Sequence, residues 1–275
     1  MNKKAIRIAS VIIAAALLGG GIYLLFRDDT AQKIEWNKIK EYAPKPIVCE
    51  ALEEAVAVDE NNEIITEIPQ EIADEMTSQV QEFSENYDNS VAWLYIPDTN
   101  IDYPIMQSGD NDYYAHRATD GSYLYAGSLF MDYRCNADFS DFNSVIYGHN
   151  MGNGTMFADL CKYESEDFYQ EHKTIRFDTL SGFGEYEIVA VFKTVAYSEQ
   201  GFKYYHFTRA ESAEDFDAYI TQCKALSLYD TGVTAEYDDK LITLSTCEYS
   251  RKNGRMVVVA KRIAAPSAEV GSDEA

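Results

Sequence analysis

The residues with the clearest chemical potential are a cysteine, a histidine and an arginine, each at one end of a predicted strand. Cys247 ends the run LITLSTC, whose alternating side chains are typical of a strand that meets a loop. His149 follows the short apolar run SVIYG, where Gly148 allows close backbone approach, and Arg255 begins the run RMVVVAKR. A thiolate nucleophile, an imidazole acid and base, and a guanidinium beside a developing oxyanion would together perform thiol chemistry on a carbonyl group.

The elements that must position these three groups are mostly short strands separated by turn residues. Eight strands are predicted between residues 91 and 263: VAWLYIP, IDYPIMQ, GSLFMDYR, SVIYGHN, KTIRFDTL, GEYEIVAVFKTVAY, LITLSTC and RMVVVAKRI. Many short strands with few surface helices predict a mainly β fold, a small closed or partly closed barrel.

Two helices are predicted to pack on this barrel. Residues 68–87 carry apolar side chains at helical spacing, at Ile72, Met76, Val80 and Phe83. Residues 213–226 place Phe216, Ile220, Cys223 and Leu226 on one face, directly before the strand that ends at Cys247. The pattern of residues 156–172 predicts a broken helix.

The N-terminal region predicts a membrane anchor. Residues 8–26 contain no charged side chain, and these nineteen residues are long enough to cross a hydrocarbon core of about 30 Å. Basic residues precede the run and acidic residues follow it, so residues 1–7 are expected in the cytoplasm and the remainder outside the cell. The alternative is a cleaved signal peptide, although the run exceeds the usual apolar core of about 7–15 residues.

Composition divides the rest of the chain. Residues 27–66 show little sustained periodicity and predict an extracellular stalk, residues 67–263 predict the catalytic domain, and the acidic residues 264–275 predict a disordered tail. The formal net charge is -23, and such an acidic surface repels nucleic acid. We therefore expect no nucleic-acid partner.

The remaining cysteines and histidines are expected to be structural. Five cysteines without a CxxC pair fit neither a zinc cluster nor a disulfide framework, so we expect no metal and no cofactor. Cys161 and Cys223 are predicted to be inert, buried side chains. The other histidines, His116, His172 and His206, are predicted to be surface or structural residues because none ends a strand beside a glycine.

Several segments together resemble the class B sortases. The similarity rests on TLSTC at Cys247, IYGHN at His149, DGSYLYAGSLFMDYR over residues 120–134, and Arg255 ahead of VVVAK, and it extends over residues 68–263. Sortases are membrane-anchored cysteine transpeptidases of Gram-positive bacteria. The resemblance implies an eight-stranded β-barrel with an N-terminal helical segment and a helix before the cysteine strand.

The resemblance also implies roles for individual residues. Cys247 would attack a threonine carbonyl in the C-terminal sorting motif of a secreted protein, giving a thioacyl enzyme that an amine of peptidoglycan or of a pilin then captures. His149 would act as acid and base, and Arg255 would hold the oxyanion. The motif would be NPxTx-like or PPxTG-like. Substrate contacts are implied for Ser245, Glu248 and Asn111.

Two departures from the family pattern concern motif preference. Ala115 stands where a larger apolar residue is expected, and Cys135 stands where asparagine often follows DYR.

Two other functions stay open from the residues alone. One is a thiol hydrolase of surface proteins that uses water as the acceptor. The other is a catalytically silent binding module tethered to the membrane.

Overall fold

Eight strands form a closed barrel in the computed structural model, which describes residues 27–43, 56–58, 64–66, 70–197, 199 and 201–263. In chain order they are β3 (Ser90–Tyr95), β4 (Asp102–Met106), β5 (Leu129–Met131), β6 (Asn143–Tyr147), β7 (Thr174–Thr179), β8 (Glu185–Val195), β9 (Leu241–Glu248) and β10 (Gly254–Ile263). A separate two-stranded sheet pairs β1 (Val56–Val58) with β2 (Ile64–Thr66). The predicted eight-stranded barrel is therefore confirmed.

The order of strands around the barrel is β10, β8, β7, β3, β4, β5, β6 and β9, and β9 closes onto β10. Most neighbours run antiparallel, whereas β4 with β5 and β6 with β9 run parallel. In the parallel pair Tyr147 lies opposite Ser245, so the chain leaves β6 and β9 at the same end of the barrel. Residues that follow these two strands must therefore lie close together.

Apolar side chains fill the barrel because successive residues of each strand point alternately inward and outward. Leu94, Ile105, Leu129, Phe177 and Met256 are each fully buried. Burial of this kind, worth roughly 1.5–3 kcal/mol for each large side chain, stabilises the barrel that carries the strand ends.

A helix over Ala213–Leu226 covers the outer face of β8 and forms a second core. Ser212 caps its first turn by accepting a hydrogen bond from the backbone amide of Asp215, at 3.2 Å. Phe216, Ile220 and Cys223 are buried, as the sequence predicted, and they pack with Phe192 and Val257 among others.

The helix predicted for residues 68–87 spans Gln70–Asn86. Val80 and Phe83 are buried, and the Phe83 ring meets the Trp93 ring edge-on with centroids 5.4 Å apart. The side chains of Ile72 and Met76 lie outside the part of the chain that the structure describes. The predicted broken helix consists of a 3-10 helix over Ala158–Glu164 and a short α-helix over Glu166–Glu171.

The beginning of the predicted stalk differs from the expectation, because residues 27–40 are helical and pack on the barrel. Trp36 lies against Tyr103 with ring centroids 4.8 Å apart, and Ile39 is buried. Glu35 is also buried and accepts hydrogen bonds from the backbone amide and hydroxyl of Thr119, at 2.9 and 2.5 Å. A buried glutamate within the packing face interrupts the apolar spacing by which such a helix is recognised.

Among the described residues, no helix combines the length and the apolar character needed to cross a bilayer. The predicted span over residues 8–26 and the predicted tail over residues 264–275 lie outside the described residues. The division of the chain into anchor, stalk, catalytic domain and tail stays a prediction.

Candidate active site

Cys247, His149 and Arg255 line one groove at the end of the barrel where β6 and β9 finish. Cys247 on β9 and Arg255 on β10 are directly opposite in the antiparallel register. His149 follows β6 by two residues. The groove has a volume of about 380 Å³. Other residues of the lining include Asn111, Ala115, Tyr147, Tyr197, Tyr204 and Ser245.

The His149 ring is held by a backbone carbonyl. Its Nε2 lies 2.8 Å from the carbonyl oxygen of Ala115, and because that oxygen only accepts, Nε2 carries the proton and donates. The Nδ1 atom is thereby the nitrogen with a free lone pair in the neutral ring. Burial lowers the pKa of His149 below its ordinary value, the bond to Ala115 opposes this shift, and neighbouring His116 adds to it.

Gly148 is required for the backbone path that delivers His149. A Cβ atom there would collide with the Leu129 side chain and would lie 2.8 Å from the Phe157 ring. The close approach predicted for this glycine is therefore confirmed, and its cause is the packing of Leu129 and Phe157 beneath the loop.

One asparagine joins the histidine loop to the cysteine strand. Asn150 donates through Nδ2 to the carbonyl oxygen of Cys247 at 3.0 Å, and its own carbonyl accepts from the Tyr249 hydroxyl at 2.9 Å. These bonds fix the backbone at Cys247 relative to that at His149. The thiol itself is partly exposed in the groove, so a substrate can reach it.

The Arg255 guanidinium is oriented by a backbone carbonyl at the start of its own strand, β10. Its Nη1 atom donates to the carbonyl of Gly254 at 2.9 Å, and Cζ lies 5.9 Å from the centroid of the Tyr197 ring. Within the part of the chain that the structure describes, the other N–H groups of the guanidinium make no hydrogen bond, so they can bind an oxygen anion. Thiol, imidazole and guanidinium thus supply the three functions that acyl transfer through a cysteine requires.

Comparison with known proteins identifies the family of the chain. A family model described as the sortase domain matches residues 94–263. The chain belongs to the sortase family. Sortase B from Listeria monocytogenes is 39% identical over 214 residues, which cover 77% of this chain and 83% of that protein. Sortase B from Staphylococcus aureus is 33% identical over 175 residues, which cover 63% and 70%.

Solved sortase structures show the same architecture. A Staphylococcus aureus sortase B-substrate complex has a TM-score of 0.62 at 31% identity, covering 68% of this chain and 85% of that chain. Clostridium perfringens sortase B has a TM-score of 0.61 at 31% identity, covering 67% and 99%. The sequence identity to these class B relatives identifies the chain as a sortase B-type cysteine transpeptidase.

The residues predicted to bind substrate in this sortase occupy different environments. Ser245 lines the groove, and its hydroxyl lies 2.6 Å from that of Tyr204. Asn111 also lines the groove, but its Nδ2 donates to buried Asp132 at 3.0 Å. Glu248 is not among the residues that line the groove, and its carboxylate accepts from the amide and hydroxyl of Ser250, at 2.8 and 2.7 Å. A substrate role for each stays a prediction.

Three further cysteines of the sortase are buried to different degrees. Burial raises the pKa of Cys135 and Cys223 to about 12, and that of Cys161 to about 11, which disfavours their thiolates. Cys161 lies beside the site, with its sulfur 3.9 Å from the carbonyl oxygen of Cys247. Cys49 lies outside the described residues.

Sequence reasoning missed two residues that contact the site. His116 stacks on the His149 ring, and Tyr204 bonds to Ser245. Neither ends a strand: each belongs to a 3-10 helix in a loop, at Tyr114–His116 and Tyr204–His206, and of the two Tyr204 lines the groove. No local spacing in the sequence signals such a contact.

Proposed function

We propose that this sortase cleaves a C-terminal sorting motif after threonine and transfers the protein to an amine, using Cys247, His149 and Arg255. The observation that carries the proposal is that all three side chains line a single groove, with Cys247 and Arg255 opposite each other on paired strands. Cys247 and Arg255 face each other across the β9–β10 hairpin, whereas His149 comes from a distant segment and reaches the groove because β6 pairs with β9.

In the first half-reaction, the Cys247 thiolate attacks the threonine carbonyl and forms a carbon–sulfur bond. Negative charge moves to the carbonyl oxygen, where the Arg255 guanidinium stabilises it. The peptide C–N bond then breaks, His149 as imidazolium gives its proton to the leaving amine, and a thioacyl enzyme remains.

In the second half-reaction, an acceptor amine attacks the thioester carbonyl and the sulfur leaves as thiolate. Neutral His149 takes the proton that the amine loses. Nδ1 is suited to both transfers because the Ala115 carbonyl occupies Nε2. Because the pKa of His149 is lowered, its imidazolium gives up the proton to the leaving amine readily in the first half-reaction.

The substrate would be a secreted protein with an NPxTx-like or PPxTG-like motif, and the acceptor an amine of a peptidoglycan precursor or of a pilin. The sortase family is consistent with a cell-surface enzyme. We propose that residues 8–26 anchor it in the membrane, with the N-terminus in the cytoplasm and residues 67–263 outside, because this topology brings the groove to secreted substrates.

The test is a peptide assay with the purified full-length chain in detergent. Quenched NPxTx-like and PPxTG-like peptides are incubated with and without triglycine or diaminopimelate, and the protein is examined by mass spectrometry. We expect a thioacyl adduct and an amine-dependent ligation product. Cys247→Ala abolishes both, whereas the matched variant Cys223→Ala, which folds with the same loss of a thiol, retains ligation.

Other outcomes identify the alternatives. Cleavage that is indifferent to the amine indicates a thiol hydrolase, and the absence of any adduct indicates a binding module. If Cys161→Ala or Cys223→Ala is as inactive as Cys247→Ala in a folded protein, the nucleophile has been assigned wrongly.

A further inference from the structure

Three aromatic rings form a continuous stack that leads from the protein surface to the groove. Tyr125 is 54% exposed, and its ring centroid lies 5.9 Å from that of His116 at an interplanar angle of 27°. His116 in turn lies 5.3 Å from the ring centroid of His149, at 25°. His116 therefore covers one face of the histidine that lines the groove.

The His116 ring is itself held in place. Its Nδ1 lies 3.0 Å from the carbonyl oxygen of Tyr125, and because this oxygen accepts, Nδ1 donates. The backbone around it is also bonded, since Leu124 donates to the carbonyl of His116 at 3.1 Å and Ser128 donates to that of Tyr114 at 3.0 Å. A ring fixed in this way can restrict the rotation of the ring stacked on it.

We propose that His116 is a positioning residue. Its ring packs against one face of the His149 ring, while the Ala115 carbonyl accepts a hydrogen bond from Nε2 of His149. The two contacts come from adjacent residues of one short segment, and together they define both the position and the rotation of the imidazole. The result is a fixed His149 ring whose Nε2 is bonded and whose Nδ1 carries the lone pair of the neutral form. This inference rests on the proposed role of His149 in proton transfer.

The requirement is for a ring rather than for a proton-transferring group. Among the residues that the structure describes, His116 forms no hydrogen bond with the thiol or the guanidinium, and its Nδ1 is already bonded to the Tyr125 carbonyl. Loss of the ring should therefore lower kcat with little change in KM, because an interaction that orients a reacting group acts in the transition state. Substrate binding along the rest of the groove is unaffected.

The experiment compares His116→Ala with His116→Phe in the full-length chain. Phenylalanine keeps a flat ring for stacking but has no ring nitrogen. The matched control is His172→Ala, because His172 also stacks on an aromatic ring, at 4.0 Å from Phe168, and its Nδ1 lies 2.8 Å from a backbone carbonyl, yet it lies away from the groove.

We expect kcat for peptide ligation to fall about three- to tenfold in His116→Ala at unchanged KM, the size of effect that an aromatic pair can produce. His116→Phe should retain most of the wild-type kcat, and His172→Ala should match the wild type. An equal loss in the alanine and phenylalanine variants, or no loss in either, would overturn the proposal.

A second measurement does not depend on turnover. The ¹⁵N shifts of the His149 ring distinguish its two neutral tautomers, and we expect one protonated at Nε2 in the wild type and in His116→Phe but a mixture in His116→Ala. An unchanged tautomer in His116→Ala would refute the positioning role. Failure of ligation in the wild type with the expected shifts would instead count against the proposed function alone.

Discussion

Two cavities lie on either side of the segment that follows β6, and they differ in what their polar groups do. The groove contains Cys247, His149 and Arg255. The second cavity, about 260 Å³, lies between the helix at residues 27–40 and the barrel, and its lining includes Trp36 and Tyr103. The same stretch of chain serves both, through His149 on one side and Asn153 to Met156 on the other.

In the helix cavity several polar side chains are paired with each other. Glu35 accepts from Thr119, Asn153 donates to Asp29 and Gln32, and Gln32 also bonds to the hydroxyl of Thr155. Paired groups stabilise a contact but leave no donor or nucleophile for a substrate. In the groove, the thiol and most of the guanidinium remain available. The comparison separates a region that supports the fold from the region in which we propose that the chemistry takes place.

The largest effect should follow from removing the guanidinium of the groove. We expect Arg255→Ala to reduce kcat for ligation by about 10²–10³-fold, because one oxyanion donor is lost. The matched control is Arg251→Ala, an exposed arginine at the turn between β9 and β10 that does not line the groove. Steady-state kinetics of both variants test this, and equal activity of the two would remove Arg255 from the chemistry.

A substitution in the helix cavity should change stability instead. Trp36→Ala removes the ring that packs on Tyr103, and we expect the free energy of unfolding to fall by about 2 kcal/mol while kcat is retained. Ile34→Ala on the same helix is the control, since Ile34 is 55% exposed. Urea unfolding measures the difference. A large loss of kcat in the folded Trp36→Ala protein would show that the two cavities are coupled.

A smaller loss should follow from weakening the buried polar contact of that helix. Thr119→Val removes the hydroxyl that donates to Glu35 but keeps the backbone amide donor, so we expect a cost of about 1 kcal/mol. Thermal unfolding beside the wild type gives the value. A variant as stable as the wild type would mean that the hydroxyl contact contributes nothing in solution.

The smallest effect should come from removing the exposed ion pair between Lys38 of this helix and Asp120. Lys38 lies 2.9 Å from Asp120, and hydrogen bonding to Ser122, followed by Lys38, lowers the pKa of Asp120 to about 2. A carboxyl group whose pKa is lowered in the folded protein stabilises the fold at any pH above its ordinary pKa of about 4. This contribution is lost as the pH falls towards 2. Both side chains are over one-third exposed, so solvent screens them.

We therefore expect Lys38→Met to lower the free energy of unfolding at pH 7 by less than about 1 kcal/mol, with a difference that shrinks as the solution is acidified. Denaturation of both proteins between neutral and acidic pH measures it. A difference that grows on acidification would contradict the assigned sign.

Features that depend on local spacing were predicted well. The strand ending at Cys247 and the helix over residues 213–226 follow from side-chain periodicity, and both are present. The helix at residues 27–40 was not predicted, because Glu35 occupies its buried face and a charged residue there hides the apolar pattern. Its partner Thr119 is far away in the chain, so only the folded structure reveals that the charge is paired.

The candidate site likewise has features that the sequence shows and features that only the folded structure shows. The residue types and strand ends of Cys247, His149 and Arg255 are visible in the sequence. The orientation of Glu248 and the stacking of His116 are not, because each depends on contacts between segments that lie apart in the chain or on the path of a loop.

The amino-acid sequence by itself determined the strands, the packing faces of two helices and the chemical groups at the strand ends, because these depend on neighbours within a few residues. Only the tertiary structure decided that β6 lies parallel to β9 and that the loop after β6 turns across Leu129 and Phe157. Barrel closure brings the three groups to one groove, since pairing between distant strands is set by the packing of the whole core.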